Sequence, residues 1–268
     1  MLHCQVVNEK SYLNKYEFNK EEQVKLSNKL SEISGLTMTP DGRLFCHDDE
    51  EGIIYQINIS DGKIIKEFYL GGWPVDADFE GLAYANNNFY LITSDGILYE
   101  CNEGEDKTSV NYEVYKTGAS SSFDVEGLCY EKETNSLLLA CKEYPGKNYK
   151  NTKTVYSFSL NDYKINKIPR YIISLKELDK KFKLKNFNPS GIEFHPSGNS
   201  IFLISAKDGI SIIELSKSGD ILAVNKLNKK AHRQPEGITF LSNGTLLISD
   251  EGTGKKSTLT KYYYKDLN

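Results

Sequence analysis

The chain has 268 residues, of which 39% are hydrophobic, 12% aromatic and 26% charged; this supplies one sizeable core and excludes an intrinsically disordered chain. Its 33 basic and 37 acidic residues leave a formal charge of −4, without the concentrated basic face that nucleic acid requires. No window reaches the run of about eighteen apolar residues that a membrane-spanning helix needs.

The first residues, MLHCQ, carry no basic segment and no long apolar stretch, so as written they form no secretory signal peptide. Leu2-His3-Cys4 also fits the remnant of a bacterial lipoprotein cleavage site, which would place the start upstream and a lipid on Cys4. An ordinary N-terminus with a chance cysteine fits equally. Residues 1–11 are read as a tail and 12–268 as a single domain. The five cysteines (Cys4, Cys46, Cys101, Cys129 and Cys141) lack CxxC spacing, so buried free thiols are expected. One disulfide is conceivable between Cys129 and Cys141, which fall on neighbouring strands.

Five segments then repeat one another. They are EISGLTMTPDGRLFCHDDEEG from Glu32, DFEGLAYANNNFYLITSDG from Asp78, DVEGLCYEKETNSLLLACKE from Asp124, NPSGIEFHPSGNSIFLISAKDG from Asn188 and QPEGITFLSNGTLLISDEG from Gln234. Each holds Ser or Glu followed by Gly, at Ser34, Glu80, Glu126, Ser190 and Glu236, spaced 46, 46, 64 and 46 residues apart. Within a unit, short apolar runs alternate with Asn/Asp/Gly turns, the pattern of antiparallel hairpins. Four strands in each such period predict an all-β chain, a five-bladed β-propeller of four-stranded blades. The last unit supplies only three strands, so the segment from Tyr12 to Leu26 is expected to complete it and close the ring. Six blades is the alternative, if the long interval hides a degenerate unit. That interval marks an insertion in the third blade, about residues 143–187, in which SLKELDKKFKLK predicts a short amphipathic helix.

Through EISGLT, DFEGL, DVEGL, PSGIEFHPSGNSIFLIS and PEGITFLSNGTLLISDEG, the chain resembles the SdiA-regulated (YjiK-like) β-propeller family of bacteria from about Tyr12 to Tyr264. The resemblance implies a periplasmic or surface-anchored protein, calcium binding in at least some members, and a remote relation to β-propeller phytases. The chain lacks the DDPA-type metal and phosphate motif, so phytase activity is not implied. If the N-terminus is genuine as written, the expected compartment is the cytoplasm.

In a propeller the loops leading into the innermost strands, and those after the second strands, open on one face. Ser34, Glu80, Glu126, Ser190 and Glu236 should therefore ring a channel mouth. Glu32, Asp78, Asp124, Asn188 and Gln234 surround them, with Asp48, Asp49, Ser94, Asp95, Glu143, Asp208, Asp250 and Glu251 from the second-strand loops. Converging carboxylates need protons, basic partners or a hard cation, and oxygen donors in number suit Ca²⁺. Glu80, Glu126 and Glu236 are the candidate metal ligands; Ser34, Asp49, Asp95, Lys142, Ser190, Lys207, Arg233 and Asp250 are the candidate ligand-binding residues. The competing reading is a metal-free collar, in which the glycines permit tight turns and Lys142, Lys207, His232, Arg233 and His47 balance the charge.

Of the histidines, His47 and His232 are placed best for general-base work but fit ordinary surface loops, while His3 lies in the tail and His195 in a turn on the opposite face. No Ser/His/Asp set, GxSxG elbow or phosphate loop is visible. Trp73, Tyr144 and Tyr149 could offer aromatic surface, with packing of Trp73 between blades the plainer reading. The favoured function is a non-catalytic binding module for a small molecule or protein, monomeric, with no nucleic-acid partner. The alternatives are a metal-dependent hydrolase of phosphoesters or lactones, and an assembly scaffold.

Overall fold

The apolar runs become strands in the order the repeat predicts. The structure, a computed structural model, describes residues 11–143, 146–207 and 209–265. Strand β1 is Glu22–Lys25. The first blade holds β2 (Ile33–Met38), β3 (Leu44–Asp48), β4 (Ile53–Ile57) and β5 (Ile64–Leu70). Next come β6 (Phe79–Ala85), β7 (Asn88–Thr93), β8 (Ile97–Asn102), β9 (Thr108–Val110) and β10 (Tyr112–Lys116). The third blade has β11 (Val125–Glu131), β12 (Ser136–Cys141), β13 (Thr152–Ser159), β14 (Lys164–Ile165) and β15 (Tyr171–Ser174), then helix α1 (Leu175–Phe182). The fourth holds β16 (Pro189–Phe194), β17 (Ser200–Ser205), β18 (Ser211–Ser216) and β19 (Ile221–Lys226), and the fifth β20 (Pro235–Phe240), β21 (Leu246–Asp250) and β22 (Thr258–Tyr262).

Five separate sheets result, so the five-bladed reading holds and no sixth blade lies in the insertion. Strand β1 pairs antiparallel with β22, which closes the last blade with chain from the other end, as expected. Two departures could not be read from periodicity. The outer strand of the third blade is split into β14 and β15, both on β13. Strand β9 leaves the second blade and lies parallel to β5 of the first.

Burial explains the alternation. Each blade sandwiches its neighbours, so the middle strands are apolar on both faces. In β12, Leu137, Leu139 and Cys141 face the second blade, while Leu138 and Ala140 face the fourth. Five such cores run between successive blades, including the closing one between fifth and first. The insertion helix α1 is capped by Ser174, whose hydroxyl accepts the Glu177 N–H at 3.3 Å, and it buries Leu178 in the core between blades three and four. Cys46, Cys101, Cys129 and Cys141 are buried free thiols; Cys4 lies outside the described residues, as do His3, Tyr144 and Asp208. Among the described residues no helix is long and apolar enough to cross a membrane.

The motif glycines follow from how tightly the inner strands converge. A Cβ on Gly35 would stand 2.7 Å from Leu82 N, on Gly81 2.8 Å from Leu128 N, and on Gly127 3.1 Å from the Gly191 Cα. On Gly191 it would stand 2.7 Å from the Glu236 carbonyl oxygen, and on Gly237 2.5 Å from that of Ser34. Each glycine thus faces the inner strand of the next blade around the whole circle. This corrects the tight-turn explanation: none of the five has positive φ, and the requirement is close backbone approach. The space left along the axis is about 10 Å³, at most one water.

Trp73 also differs from expectation. Instead of packing between blades it is 89% exposed, carried outward by Gly71-Gly72, where Gly71 has φ of 75°.

Candidate functional site

The residue before each glycine falls on a β-bulge. Pairing steps from Phe79 to Gly81, Val125 to Gly127, Pro189 to Gly191 and Pro235 to Gly237, leaving out Glu80, Glu126, Ser190 and Glu236; the step from Ile33 to Leu36 leaves out Ser34. A bulge re-aims the extra side chain, and here five extra side chains form the ring at the mouth. The two serines are already engaged. Ser190 Oγ donates to the Pro235 carbonyl at 2.6 Å and Ser34 Oγ to the Glu80 carbonyl at 3.4 Å, each bridging to the next blade.

The three glutamates share one electrostatic environment. Burial, then the charges of Glu126 and Glu236, push the Glu80 carboxyl well above its ordinary range. Burial and Glu126 push Glu236 up to about 8. Burial raises Glu126 too, opposed by Lys142, whose Nζ donates to Glu126 Oε1 at 2.6 Å and lies 3.6 Å from Asp124 Oδ2. Lys153 stands behind, donating to the Lys142 carbonyl. Lys142 makes its direct ion pairs within the third blade, while its charge reaches Glu80 and Glu236 as a weaker effect. Among the described residues Glu80 and Glu236 have no ion-pair partner within 4.0 Å.

A second acidic group lies at the rim of the first blade, where DDEEG follows β3. One oxygen each from Glu32, Asp48 and Glu50 comes within 4.8 Å of the others, and this is the one such group among the described residues. Glu80, Glu126 and Glu236 face the axis together without forming such a trio. The loop is fixed by its backbone: Asp49 N–H donates to the Glu32 carbonyl at 3.1 Å, and Phe79 N–H to that of Asp49 at 2.8 Å. Asp49 Oδ1 is buried with no hydrogen-bond partner. Burial raises Asp48 to about 6; burial, then Asp48 and Glu32, raise Asp49 to about 7. Beside them opens a cleft of about 620 Å³ walled by Asp49, Glu50, Glu51, Asp76 and Asp78. An all-oxygen donor set with an orphaned carboxylate atom fits a hard cation such as Ca²⁺ and does not fit zinc.

The SdiA-regulated family matches this chain over residues 8–179 and 167–267. The chain belongs to that family. No curated protein matches it in sequence. Solved structures share the fold: Myxococcus xanthus glutaminyl cyclase is 11% identical, with TM-score 0.59 over 92% of this chain and 96% of that one. A luciferin-regenerating enzyme is 11% identical, with TM-score 0.57 over 93% and 96%. The PQQ-bound aldose sugar dehydrogenase of Streptomyces coelicolor is 12% identical, with TM-score 0.52 over 91% and 99%.

In this family member the remaining candidates divide by what holds them. Asp250 is buried and accepts from Arg233 N at 2.9 Å, and His232 Nδ1 lies 2.7 Å from it. His232 Nε2 lies 2.6 Å from the Tyr262 hydroxyl. That Asp–His–Tyr chain is sealed inside the fifth blade, so Asp250 does not open on the mouth. Arg233 and Lys207 are exposed at the rim. Asp95 accepts from Thr93 Oγ1 at 2.5 Å and serves its own hairpin turn. Ser94 donates to Asp78, Gln234 to Glu251, and the backbone of Asn188 to Ser205.

The surface-loop reading of His47 and His232 is corrected: both are fully buried. His47 Nε2 accepts the Gly35 N–H at 3.0 Å, so Nδ1 carries the proton and donates to the Asp48 carbonyl at 3.0 Å; burial lowers its pKa to about 4. His195, beyond the end of β16, is buried as well and stacks on Tyr12 at 4.2 Å between ring centroids. Glu50 was missed although the strand register sets it level with Asp95 and Glu143 of the next two units; that match and the local run of four acids were the available signals.

Proposed function

We propose that this propeller is a non-catalytic binding module of the bacterial cell envelope, whose acidic mouth takes a calcium-type cation and through it a small-molecule or protein ligand. The observation that carries this reading is the convergence of Glu32, Asp48 and Glu50 beside the unpartnered Asp49 oxygen. Carboxylates held together at the cost of raised pKa values release free energy when a cation arrives. Glu32, Asp48 and Glu50 would supply its first oxygens, and Asp49 either a further one or the surrounding charge. Glu80 and Glu236, which burial and neighbouring carboxylates push toward the protonated form, line the axis behind it.

The test is calorimetric titration with Ca²⁺, paired with melting curves in Ca²⁺ and in EDTA. Binding heat and a higher melting temperature are expected, both lost in Asp48→Asn with Glu50→Gln and retained in Glu80→Gln. Absence of heat and of any melting shift would remove the cation from the proposal. Loss in Glu80→Gln or Glu236→Gln alone would move it to the axis.

One observation favours a hydrolase instead: burial raises the Asp48 and Asp49 carboxyls to about 6 and 7, the range that suits a general base near neutral pH. Against it, His47 and His232 spend both ring nitrogens inside the fold. Turnover of phosphoester or lactone substrates that disappears in Asp49→Asn would establish the enzyme.

A further inference from the structure

The face opposite the mouth holds a cleft of about 630 Å³ where blades four, five and one meet, a size typical of small-molecule sites. Its walls mix apolar surface from Met38, Ile59, Phe194, Phe240 and Leu241 with polar groups of Thr39, Ser242 and Asn243, and its inner end is formed by Glu193 and Thr239 on the inner strands. Glu193 is anomalous within the repeat. The third residue past the motif position is Thr37, Ala83, Cys129 or Thr239 in the other units, so this blade alone places a carboxylate there.

That carboxylate is incompletely satisfied. Oε1 accepts its neighbour's Phe194 N–H at 2.8 Å, whereas Oε2 has a single long contact, 3.4 Å from Thr239 Oγ1. Among the described residues no cationic side chain pairs with it. Asp41, the other acid in the cleft, is already paired with Arg43 at 2.7 Å. Burial of Glu193 without a counter-charge raises its pKa to about 7. Uncompensated carboxylates in apolar surroundings are costly, and Glu193 remains partly accessible from the cleft.

We infer that this cleft binds a small organic amine, its ammonium group on Glu193 and Thr239 and its apolar body against Phe194, Phe240 and Leu241. A charge-assisted N–H···O bond would supply the partner that Oε2 lacks, and the apolar walls would favour an aryl or alkyl substituent over a bare ammonium ion. The site shares no residue with the mouth, and the free space along the axis between them is about 10 Å³.

Benzylamine, and its neutral near-isostere benzyl alcohol, are titrated at about pH 8 and followed by calorimetry and saturation-transfer NMR. The wild type is expected to prefer the amine by roughly tenfold or more. Glu193→Gln should abolish that preference while its melting temperature stays the same or rises, because glutamine still accepts the Phe194 N–H and carries no buried charge. Ile59→Arg, at the partly exposed outer wall, should exclude both compounds by placing its own cation in the cleft. Equal affinity for amine and alcohol, an amine preference that survives Glu193→Gln, or no saturable binding of benzylamine, cyclohexylamine or hexylamine would overturn the inference. The Ca²⁺ response of the mouth should be the same in all three proteins.

Discussion

Lys142 Nζ stands 2.6 Å from Glu126 Oε1, and with that one contact the third blade neutralises its own axial charge while the second and fifth leave theirs open. The mouth is electrically lopsided as a result. Lys142, Lys153 and Lys207 lie on the side of blades three and four, and the uncompensated carboxylates on the side of blades five, one and two.

Removing that lysine tests the asymmetry. Lys142→Met leaves a buried carboxylate beside Glu80 and Glu236 and should cost about 2 kcal/mol at pH 8. The loss should shrink at pH 5, because burial raises the Glu126 carboxyl and Lys142 opposes that rise, so removing the lysine favours the protonated form. Urea unfolding at the two pH values reads the difference, and an equal loss at both would show that the lysine acts by packing alone.

The glycine ring predicts a sharp contrast between two alanine substitutions. Gly237→Ala drives a methyl group into the Ser34 carbonyl and should destabilise the protein by about 3 kcal/mol or more. Gly72→Ala meets nothing within 4 Å and should be neutral within about 0.5 kcal/mol. Thermal or urea unfolding of the pair is sufficient, and similar values for both would refute close approach as the reason for the motif.

Closure depends on Glu214. Its buried carboxylate accepts Ser11 Oγ at 2.6 Å, Leu13 N–H at 2.9 Å and Tyr12 N–H at 3.1 Å, pinning the segment that leads into β1. Glu214→Ala orphans those donors and should cost about 2–3 kcal/mol. Hydrogen exchange should then accelerate first over residues 11–25 and in β22, ahead of the other blades; uniform acceleration would argue against a local latch.

The effect of Ca²⁺ should depend on pH with a definite sign. Asp48, Asp49 and Glu236 are raised to about 6, 7 and 8 in the folded state, so their contribution is fully present below about pH 4 and lost as pH rises through 6 to 8. His47, lowered to about 4, works oppositely: its contribution is present above about pH 6.5 and fades as pH falls toward 4. A cation replaces the protons that the rim carboxyls lose, so the rise in melting temperature on adding Ca²⁺ should be small near pH 5.5 and grow toward pH 8. A constant rise across that range would separate the cation from Asp48 and Asp49.

The ring was legible because its cause is periodic. The 46-residue spacing that recurs in three of the four intervals between Ser34, Glu80, Glu126, Ser190 and Glu236, each with its glycine, encodes the same strand convergence five times over. The closing role of residues 12–26 followed by counting strands. What the periodicity did not carry was anything peculiar to one blade. Glu32, Asp48 and Glu50 converge because the segment entering β2 and the loop leaving β3 meet in the first blade, whereas the repeat pointed first to Glu80, Glu126 and Glu236. His47 and His232 read as loop residues because their partners, the Gly35 N–H and the Tyr262 hydroxyl, come from other strands. Trp73 read as core because its hydrophobicity is visible in the sequence, whereas the outward turn at Gly71-Gly72 is a matter of tertiary path.

The filled axis makes this propeller a plug. With about 10 Å³ of free space along it, room for at most one water, the axis gives a ligand at the rim and one in the far cleft no open route to each other. Any signal between them must travel mechanically, as a tilt of inner strands that touch backbone to backbone and have almost no slack to absorb it.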